Sequence, residues 1–458
     1  MFRCTGDCSS CGRCGGTGND GEAGRRKAGL LTRFEEFAID AGSGAGAVFD
    51  IGTTTLAGMI YDLGTGECLA AGGAPNPQRI HGGDVISRIS FCCRGEDEER
   101  LLREELLDGI NGMLESLCRE AGVDAGEVTA AALCGNTTMS HIFAGYPVAS
   151  LAHAPFSPAY EGTCRMKGAD SGIDMNPDGK VILIPGIGGH VGGDITAGAA
   201  AAGIDKIEGL TLYIDIGTNG ELILADKGRL RACSAAAGPA FEGASISCGM
   251  RAEAGAIEKV AIRDGDVVFS TVGGSPAAGI CGSGLIDAAA AMLDAGVLEK
   301  SGRLVPAEEI EPAELAERMV SGESGRHFIV LAREGRADIA LTQKDIREFQ
   351  YTKGAIQAAY RLLLKSAGRT AEELDRVIVA GSFGSYIDGE SAVRTGLLPD
   401  VNPDKIITAG NAASAGTAMA LLSETQLERM ENLAERTEHL EPADDPEFQA
   451  LYIECLGF

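Results

Sequence analysis

Two short turns in the sequence place an aspartate, a glycine and hydroxyl side chains in the same order. The first turn runs from Asp50 to Thr55 (DIGTTT) and the second from Asp215 to Gly220 (DIGTNG). The backbone N–H groups and hydroxyls of a tight Gly-Thr turn can hold a chain of phosphates. The carboxylate beside them suits a hydrated Mg²⁺ ion, which prefers oxygen ligands. The matched pair predicts a nucleoside triphosphate that is gripped from two sides.

Each turn is expected at the tip of a β-hairpin, because short apolar runs enter and leave it. AVF precedes Asp50 and TLYI precedes Asp215, and a glycine-bearing loop then leads each hairpin into a third apolar stretch. One such turn alone is equally compatible with an ordinary hairpin. The two copies lie too far apart for a solenoid repeat, and their separation suits a duplicated domain.

The rest of the chain alternates strands with helices, which predicts layered α/β lobes with mixed sheets. Helices are predicted over 100–121, 195–203, 284–295, 344–368 and 412–422, and strands over 128–134, 181–184 and 376–380. The predicted divisions are a Cys-rich head at 1–16, a linker at 17–45 with a short helix near 30–37, a first lobe at 46–205, a second lobe at 206–422 and an acidic helical tail at 423–458. The tail is predicted to be a solvated helical face, with docking of a partner protein as the alternative.

The head contains four closely spaced cysteines, Cys4, Cys8, Cys11 and Cys14. Four thiols this close do not easily form unstrained disulfides, whereas they can ligate one iron–sulfur cluster, most simply [4Fe–4S]. Structural zinc and transiently oxidised thiols remain alternatives. The spacing of the first three also resembles the radical-adenosylmethionine triad, but no barrel follows and Cys14 would be surplus. The other ten of the 14 cysteines are predicted to be reduced and mostly buried.

The formal net charge of −27 argues against a nucleic-acid partner, because phosphate backbones favour Lys and Arg. No run of eighteen apolar residues predicts a membrane span, and the N-terminus lacks the apolar core of a signal peptide. These features predict a cytoplasmic protein with no membrane partner.

In the order of its motifs, the chain resembles the actin-like ATPase superfamily, which includes sugar kinases, actin and heat-shock chaperone ATPases. That resemblance implies two duplicated ribonuclease H-like lobes with a nucleotide cleft between them. The family's two phosphate loops map onto Asp50–Thr54 and Asp215–Glu221, and its adenosine segment maps onto Val379–Gly384. Asp194, before an alanine-rich helix, matches the residue that orients the attacking water in several relatives.

Five further segments resemble one branch of that superfamily, the ATP-dependent reductive activators of corrinoid proteins. They are 76–89, 135–145, 236–250, 279–288 and 381–399, and the resemblance extends over about residues 46–423. It implies that ATP hydrolysis drives an electron onto an inactive cob(II)alamin to give cob(I)alamin. The role of segment 76–89 stays open between cleft lining and a lobe or subunit contact. Many members carry a full ferredoxin domain before the ATPase core, whereas this chain has a short head with different spacing, which leaves the redox partner open.

These considerations assign roles to individual residues. Asp50, Asp194, Asp215 and Glu221 are the predicted catalytic carboxylates, two of them positioning Mg²⁺ through water. Contacts to ATP are predicted for Gly52, Thr53, Thr54, Thr55, Gly217, Thr218, Asn219, Gly220, Gly282, Ser283, Gly381, Ser382, Phe383 and Gly384. For Gly282 and Ser283 a helix-packing turn is the alternative.

The predicted partners are a corrinoid protein or another low-potential redox enzyme, and an electron donor such as ferredoxin; the sequence is also compatible with a homodimer. Three rival functions use the same loops. They are activation of a radical-type dehydratase or double-cluster enzyme, phosphorylation of a small molecule with Asp194 as base, and non-catalytic nucleotide-dependent regulation.

Overall fold

A computed structural model describes residues 29–30, 37–322, 325–335, 337–381 and 387–458 of the chain. The four cysteines of the head, Cys4, Cys8, Cys11 and Cys14, lie outside the described residues, and so do Ser382, Phe383 and Gly384. The short helix predicted near 30–37 lies mostly outside them as well. Its first residue, Leu30, belongs to a strand, so no helix begins there.

The first part of the described chain folds into a six-stranded mixed sheet with helices packed on it. In chain order the strands are β1 Gly29–Leu30, β2 Ala45–Ile51, β3 Thr55–Asp62, β4 Cys68–Pro75, β5 Val128–Gly135, β6 Cys164–Lys167 and β7 Lys180–Leu183. The helices are α1 Val85–Cys92, α2 Glu96–Ala121, α3 Thr137–Ala144, α4 Gly168–Ser171 and α5 Gly193–Ala201. The sheet has the order β4-β3-β2-β5-β7-β6, while β1 pairs elsewhere.

The second part repeats this plan around a seven-stranded sheet. Its strands are β8 Thr211–Ile216, β9 Gly220–Asp226, β10 Arg229–Ala235, β11 Ala256–Arg263, β12 Asp266–Thr271, β13 Gly279–Ile280, β14 Met319–Gly322, β15 Gly325–Leu331, β16 Ile339–Thr342, β17 Arg376–Ala380, β18 Ile406–Gly410 and β19 Thr437–His439. Its helices are α6 Gly282–Asp294, α7 Ala313–Ala316, α8 Gln343–Ala367, α9 Gly389–Arg394, α10 Ala412–Leu422, α11 Glu424–Arg436 and α12 Phe448–Glu454. The sheet order is β1-β18-β17-β8-β9-β10-β19, and two three-stranded sheets are added to it.

The duplication expected from the two turns is visible in the strand pairing. In each lobe three consecutive strands form an antiparallel meander, β2-β3-β4 in the first and β8-β9-β10 in the second. The first strand of each meander then pairs in parallel with a later strand, β5 or β17. This α/β architecture with two lobes confirms the predicted fold class, whereas the domain boundaries stay predictions.

The two lobes meet where α5 and α10 cross, and small side chains make this crossing close. A Cβ atom on Gly416 would lie 1.9 Å from the carbonyl oxygen of Ala197, so no larger residue fits without moving backbone. Alanines of both helices are buried in one apolar cluster at this crossing. The small residues of these two helices therefore allow their backbones to pack directly together.

The tail differs from the wholly helical, solvated segment that was predicted. Helix α11 buries Leu427, Met430 and Leu433 completely, and Thr437–His439 forms a strand parallel to β10. Arg429 of α11 donates to Asp205 through Nε at 2.8 Å, and both side chains are only 11% exposed. The tail is therefore not solvated throughout, since one side of α11 packs on α5 and α10 and a short strand extends the sheet of the second lobe.

Among the described residues, no helix combines the length and apolar character needed to cross a membrane.

Candidate nucleotide site

The turn at 50–55, which we call the first phosphate turn, lies between β2 and β3, and Asp50 is the second-to-last residue of β2. A Cβ atom on Gly52 would lie 2.5 Å from the carbonyl oxygen of Thr55, so the tightness of the turn requires glycine. Thr53 is buried, and its hydroxyl accepts a hydrogen bond from Asn136 Nδ2 at 2.9 Å. Thr54 and Thr55 follow at the tip of the hairpin.

The turn at 215–220, which we call the second phosphate turn, lies between β8 and β9. Asp215 occupies the same place in β8 as Asp50 does in β2. Gly217 N–H donates to the carbonyl of Asn219 at 2.9 Å, which closes the turn. Gly220 packs against α8, where a Cβ atom would lie 2.8 Å from Ile356. The adenosine segment begins beside this turn, because Ala380 of β17 is paired with Asp215 and Gly381 follows with a φ of 94°.

The four predicted catalytic carboxylates come from four different elements and affect one another electrostatically. Asp194, in the first turn of α5, has its pKa raised to about 8 by burial and by the negative charges of Asp50 and Asp215. Burial and the charge of Asp50 raise the pKa of Asp215 to about 7. Burial, Asp194 and Asp215 raise the pKa of Glu221 well above its usual value. These electrostatic effects are those expected of carboxylates that lie near one another.

Asp50 is the member of this group with the most hydrogen-bonding partners. Burial raises its pKa to about 6, and hydrogen bonds from Ser414, Cys134 and Asn411 oppose that rise. Ser414, in the first turn of α10, has its Oγ 3.4 Å from Asp50 Oδ2. The dipole of α10 also favours a negative charge at this end of the helix. Asp50 therefore joins the first phosphate turn to the crossing helix.

Buried carboxyl groups from both lobes whose pKa values are raised, first by burial and for three of them also by one another, fit a site that a cation would stabilise. Within the described part of the chain, no three His, Cys, Asp or Glu side chains converge closely enough to ligate a metal ion directly. This arrangement fits Mg²⁺ that keeps its own waters and takes further ligands from phosphates, as Mg²⁺ commonly does. The carboxylates would then hold the ion through hydrogen bonds with its bound waters.

One residue of the site was not among the predicted residues. Glu242 Oε2 accepts a hydrogen bond from Thr54 Oγ1 at 3.2 Å, and its Oε1 accepts one from Thr218 Oγ1 at 2.5 Å. A single carboxylate thus joins the hydroxyls of both phosphate turns across the cleft. The segment 236–250 was noted for its resemblance, but nothing in its spacing indicated this contact.

Segment 76–89, whose role the sequence left open, supports the first phosphate turn from behind. Asn76 Nδ2 donates to the carbonyl of Gly52 at 2.9 Å, and Asn76 N–H donates to the carbonyl of Thr54 at 2.9 Å. Arg88 is fully buried and donates to the carbonyl of Thr53 and to Gln78 Oε1. These contacts favour a role at the cleft over a lobe contact, while a subunit contact stays open.

The turns that follow β5 and β7 pack against each other beneath the first phosphate turn. Asn136 caps α3 through Met139 N–H while its amide donates to Thr53. A Cβ atom on Gly192, just before α5, would lie 2.4 Å from the Cα of Asn136. Glycine at this position lets the start of α5, and with it Asp194, approach the first phosphate turn.

Gly282 and Ser283 are buried at the start of α6, where a Cβ atom on the next residue, Gly284, would lie 2.2 Å from the carbonyl oxygen of Ile257. Ser283 Oγ lies 3.3 Å from Cys281 Sγ. Within the described residues, this turn forms no hydrogen bond with either phosphate turn. The packing alternative accounts for these contacts, and a phosphate contact stays a prediction.

A cavity of about 570 Å³ opens between the first lobe and α11. Gly188, Gly193, His141, Tyr160 and Glu431 are among the residues that line it, and none of the predicted site residues does. His141 uses both ring nitrogens locally, one with the carbonyl of Thr137 at 2.7 Å and one with Ala159 N–H at 2.9 Å. The cavity therefore lies next to the carboxylate site and is not part of it.

Comparison with known proteins identifies the family of the chain. Residues 45–207 match the family described as the RACo middle region, and residues 209–458 match the C-terminal domain of RACo, the ASKHA domain. The chain belongs to the RACo family.

Relatives in this family are similar over most of the chain. Corrinoid activation enzyme RamQ of Eubacterium limosum is 34% identical over 412 residues, covering 89% of this chain and 69% of the relative. The [Co(II) methylated amine-specific corrinoid protein] reductase of Methanosarcina barkeri is 27% identical, with 89% and 76% covered. A solved structure described as the reductive activator for corrinoid,iron-sulfur protein superposes with a TM-score of 0.82 at 38% identity. It covers 90% of this chain, which in turn spans 66% of that structure.

Proposed function

We propose that this member of the RACo family is an ATP-dependent reductive activator of a corrinoid protein. The observation that carries the proposal is the convergence of two phosphate turns from opposite lobes on one group of carboxylates. RamQ is a corrinoid activation enzyme, and the methylated amine-specific reductase and the solved activator each act on a corrinoid protein, which supports the proposal. The proposed reaction hydrolyses ATP while an electron passes to cob(II)alamin and yields cob(I)alamin.

The two turns would divide the binding of the nucleotide between the lobes. Backbone N–H groups and hydroxyls of Thr53–Thr55 would hold the phosphates from one side, and Thr218 and Asn219 would hold them from the other. Asp50 and Asp215 would position Mg²⁺ through its waters; when bound, the ion supplies neutralisation of the phosphate charge. Adenosine would lie against Gly381 and the residues that follow it.

Asp194 is the proposed residue that orients and deprotonates the hydrolytic water. Its pKa of about 8 lies close to neutrality, which suits a group that accepts and returns a proton. Because Asp50 and Asp215 raise this pKa, a cation bound among the three would lower it and shift Asp194 towards its basic form. Glu221, whose pKa is also raised, first by burial and then by the charges of Asp194 and Asp215, is the weaker candidate for the same role.

The four cysteines of the head, Cys4, Cys8, Cys11 and Cys14, would hold the iron–sulfur cluster that delivers the electron. Their spacing supports this proposal, and the ligand count suits a cubane cluster. An electron donor such as ferredoxin would reload the cluster after each transfer. Anaerobic iron and sulfide analysis tests the proposal; about four irons per chain are expected, and iron-free protein from a preparation never exposed to oxygen would contradict it.

Steady-state ATP hydrolysis tests the nucleotide part of the proposal. Asp194→Asn keeps the size of the side chain and removes its basicity, so kcat is expected to fall about 100-fold or more with little change in KM. Exposed Asp178→Asn serves as the matched control and should leave kcat unchanged. Equal kcat for the Asp194 variant and wild type would remove Asp194 from the mechanism, and rapid phosphorylation of a metabolite would favour a kinase.

A further inference from the structure

The hydroxyls of Thr54 and Thr218 belong to the two turns that would hold the phosphates, yet both are already bonded to one carboxylate. Glu242 accepts from Thr54 at 3.2 Å and from Thr218 at 2.5 Å. Phosphate oxygens would accept from the same two donors. Two anions cannot share these donors without strong repulsion in a cleft that already contains Asp50 and Asp215.

The backbone that carries Glu242 is fixed to the second lobe. Gly238 N–H donates to the carbonyl of Thr218 at 2.9 Å, and Phe241, 3% exposed, packs edge-on against Phe349 of α8 at 5.4 Å between ring centroids. Gly243 has a φ of 81°, and a Cβ atom there would lie 2.6 Å from the backbone nitrogen of Met250. The loop is held on both sides of Glu242, so its side chain is the part that can change position.

We propose that Glu242 competes with the terminal phosphate of ATP for the hydroxyls of Thr54 and Thr218. Glu242 would join the two lobes while the cleft holds no nucleotide and would release both hydroxyls when ATP binds. This inference rests on the proposed function, because it requires ATP between the two turns. It assigns Glu242 a positioning role. The residue would set the affinity for ATP and would make the join between the lobes respond to the nucleotide.

Glu242 bonds hydroxyls of both turns at once, and a phosphate chain held from both sides would need the same two donors, so Glu242 should oppose ATP, which has the longer chain, more than ADP. Removing the Glu242 carboxylate should raise the affinity for Mg-ATP about tenfold, because one charged acceptor would no longer compete with the phosphates for the two hydroxyls. The gain for Mg-ADP should be smaller. Glu242→Gln keeps the shape and one acceptor oxygen but lacks the charge, and its affinity should lie between wild type and Glu242→Ala.

The test is calorimetric binding of Mg-ATP and Mg-ADP to the full chain, as wild type, Glu242→Ala, Glu242→Gln and exposed Glu253→Ala as the charge-matched control. Tighter ATP binding by both Glu242 variants, with little change for Glu253→Ala, is the expected result. Unchanged or weaker ATP binding by the Glu242 variants, or a loss of kcat without a change in affinity, would overturn the inference. Wild-type protein that binds no ATP would instead contradict the proposed function.

Hydrogen exchange of the nucleotide-free protein gives a second measurement that does not depend on ATP. Since Glu242 joins both turns, Glu242→Ala should speed exchange in segments 50–57 and 215–222 together. A change confined to the second segment, which belongs to the same lobe as Glu242, would show that no join between the lobes exists.

Discussion

The two phosphate turns have almost the same sequence, yet the rest of the molecule holds them in different ways. The first turn depends on distant side chains: Asn76 and Arg88 donate to its carbonyls and Asn136 donates to Thr53. The second turn closes on itself through Gly217 and is bonded to the loop that follows β10. Duplication therefore preserved the turn that faces the phosphates, while each lobe acquired its own means of holding that turn.

The difference should be largest at Arg88, which has no counterpart behind the second turn among the described contacts. Arg88→Ala would leave buried carbonyl and amide oxygens of Thr53 and Gln78 without a donor, at a cost of about 3 kcal/mol in the free energy of unfolding. Denaturant unfolding and ATP binding measure the effect. Arg88→Lys should recover part of it, and wild-type stability for Arg88→Ala would remove the contrast between the turns.

The next largest difference in stability is expected between alanine substitutions at the equivalent glycines of the two turns, Gly52 and Gly217. Gly52→Ala places a Cβ atom 2.5 Å from the carbonyl of Thr55 and should cost about 2 kcal/mol. At Gly217 the nearest atom to such a Cβ is 3.7 Å away, so Gly217→Ala should cost less than about 0.5 kcal/mol. Thermal unfolding of the two variants side by side tests this, and equal losses would show that the turns are equally constrained.

Removing an uncharged hydrogen-bond donor beside each turn should give a smaller difference in the free energy of unfolding. Asn76→Ala removes the donor to the Gly52 carbonyl and should cost about 1 kcal/mol. Tyr213 Oη lies 3.4 Å from Asp215 Oδ2, a long contact, so Tyr213→Phe should cost no more than about 0.5 kcal/mol. Unfolding by denaturant compares the pair. A larger loss for Tyr213→Phe would show that the second turn also relies on side chains.

A dependence on pH is expected to be common to both turns, through Asp50, Asp215 and the neighbouring Asp194. The pKa values of Asp50, Asp215 and Asp194 are raised to about 6, 7 and 8, so the folded protein binds more protons than the unfolded chain. Stability without a cation should therefore fall as pH rises from about 4 towards 8. Mg²⁺ should reverse the loss increasingly over this range, so the rise in Tm that it causes should be larger near pH 8 than near pH 4. A shift by Mg²⁺ that does not grow with pH would contradict this account.

Local pattern predicted the elements that carry the site, because strands and helices follow from the spacing of apolar residues. The two hairpins, the small residues of the crossing helices and Asp194 at the start of α5 could all be placed from the sequence. Glu242 and Arg88 could not be assigned their roles, since each acts on a turn far away in the chain. The segments containing them, 236–250 and 76–89, stood out only by resemblance.

The tail shows a different reason for failure. Thr437–His439 is three residues long and polar, so no periodic pattern marks it as a strand, and only its pairing with β10 makes it one. The buried leucines of α11 do follow helical spacing, but the acidic residues around them favoured the interpretation of a solvated helix. Tertiary contact, which the local pattern does not contain, decided both cases.

The most direct test of the central claim is anaerobic, ATP-dependent reduction of a corrinoid protein that is held in the cob(II)alamin state. The full chain, a reduced low-potential donor and the corrinoid protein would be mixed with Mg-ATP, and cob(I)alamin would be followed by its absorption spectrum. The account predicts that cob(I)alamin forms with wild-type protein and ATP, and fails to form without ATP or with Asp194→Asn. Formation of cob(I)alamin at the same rate without ATP, or with the variant, would contradict it.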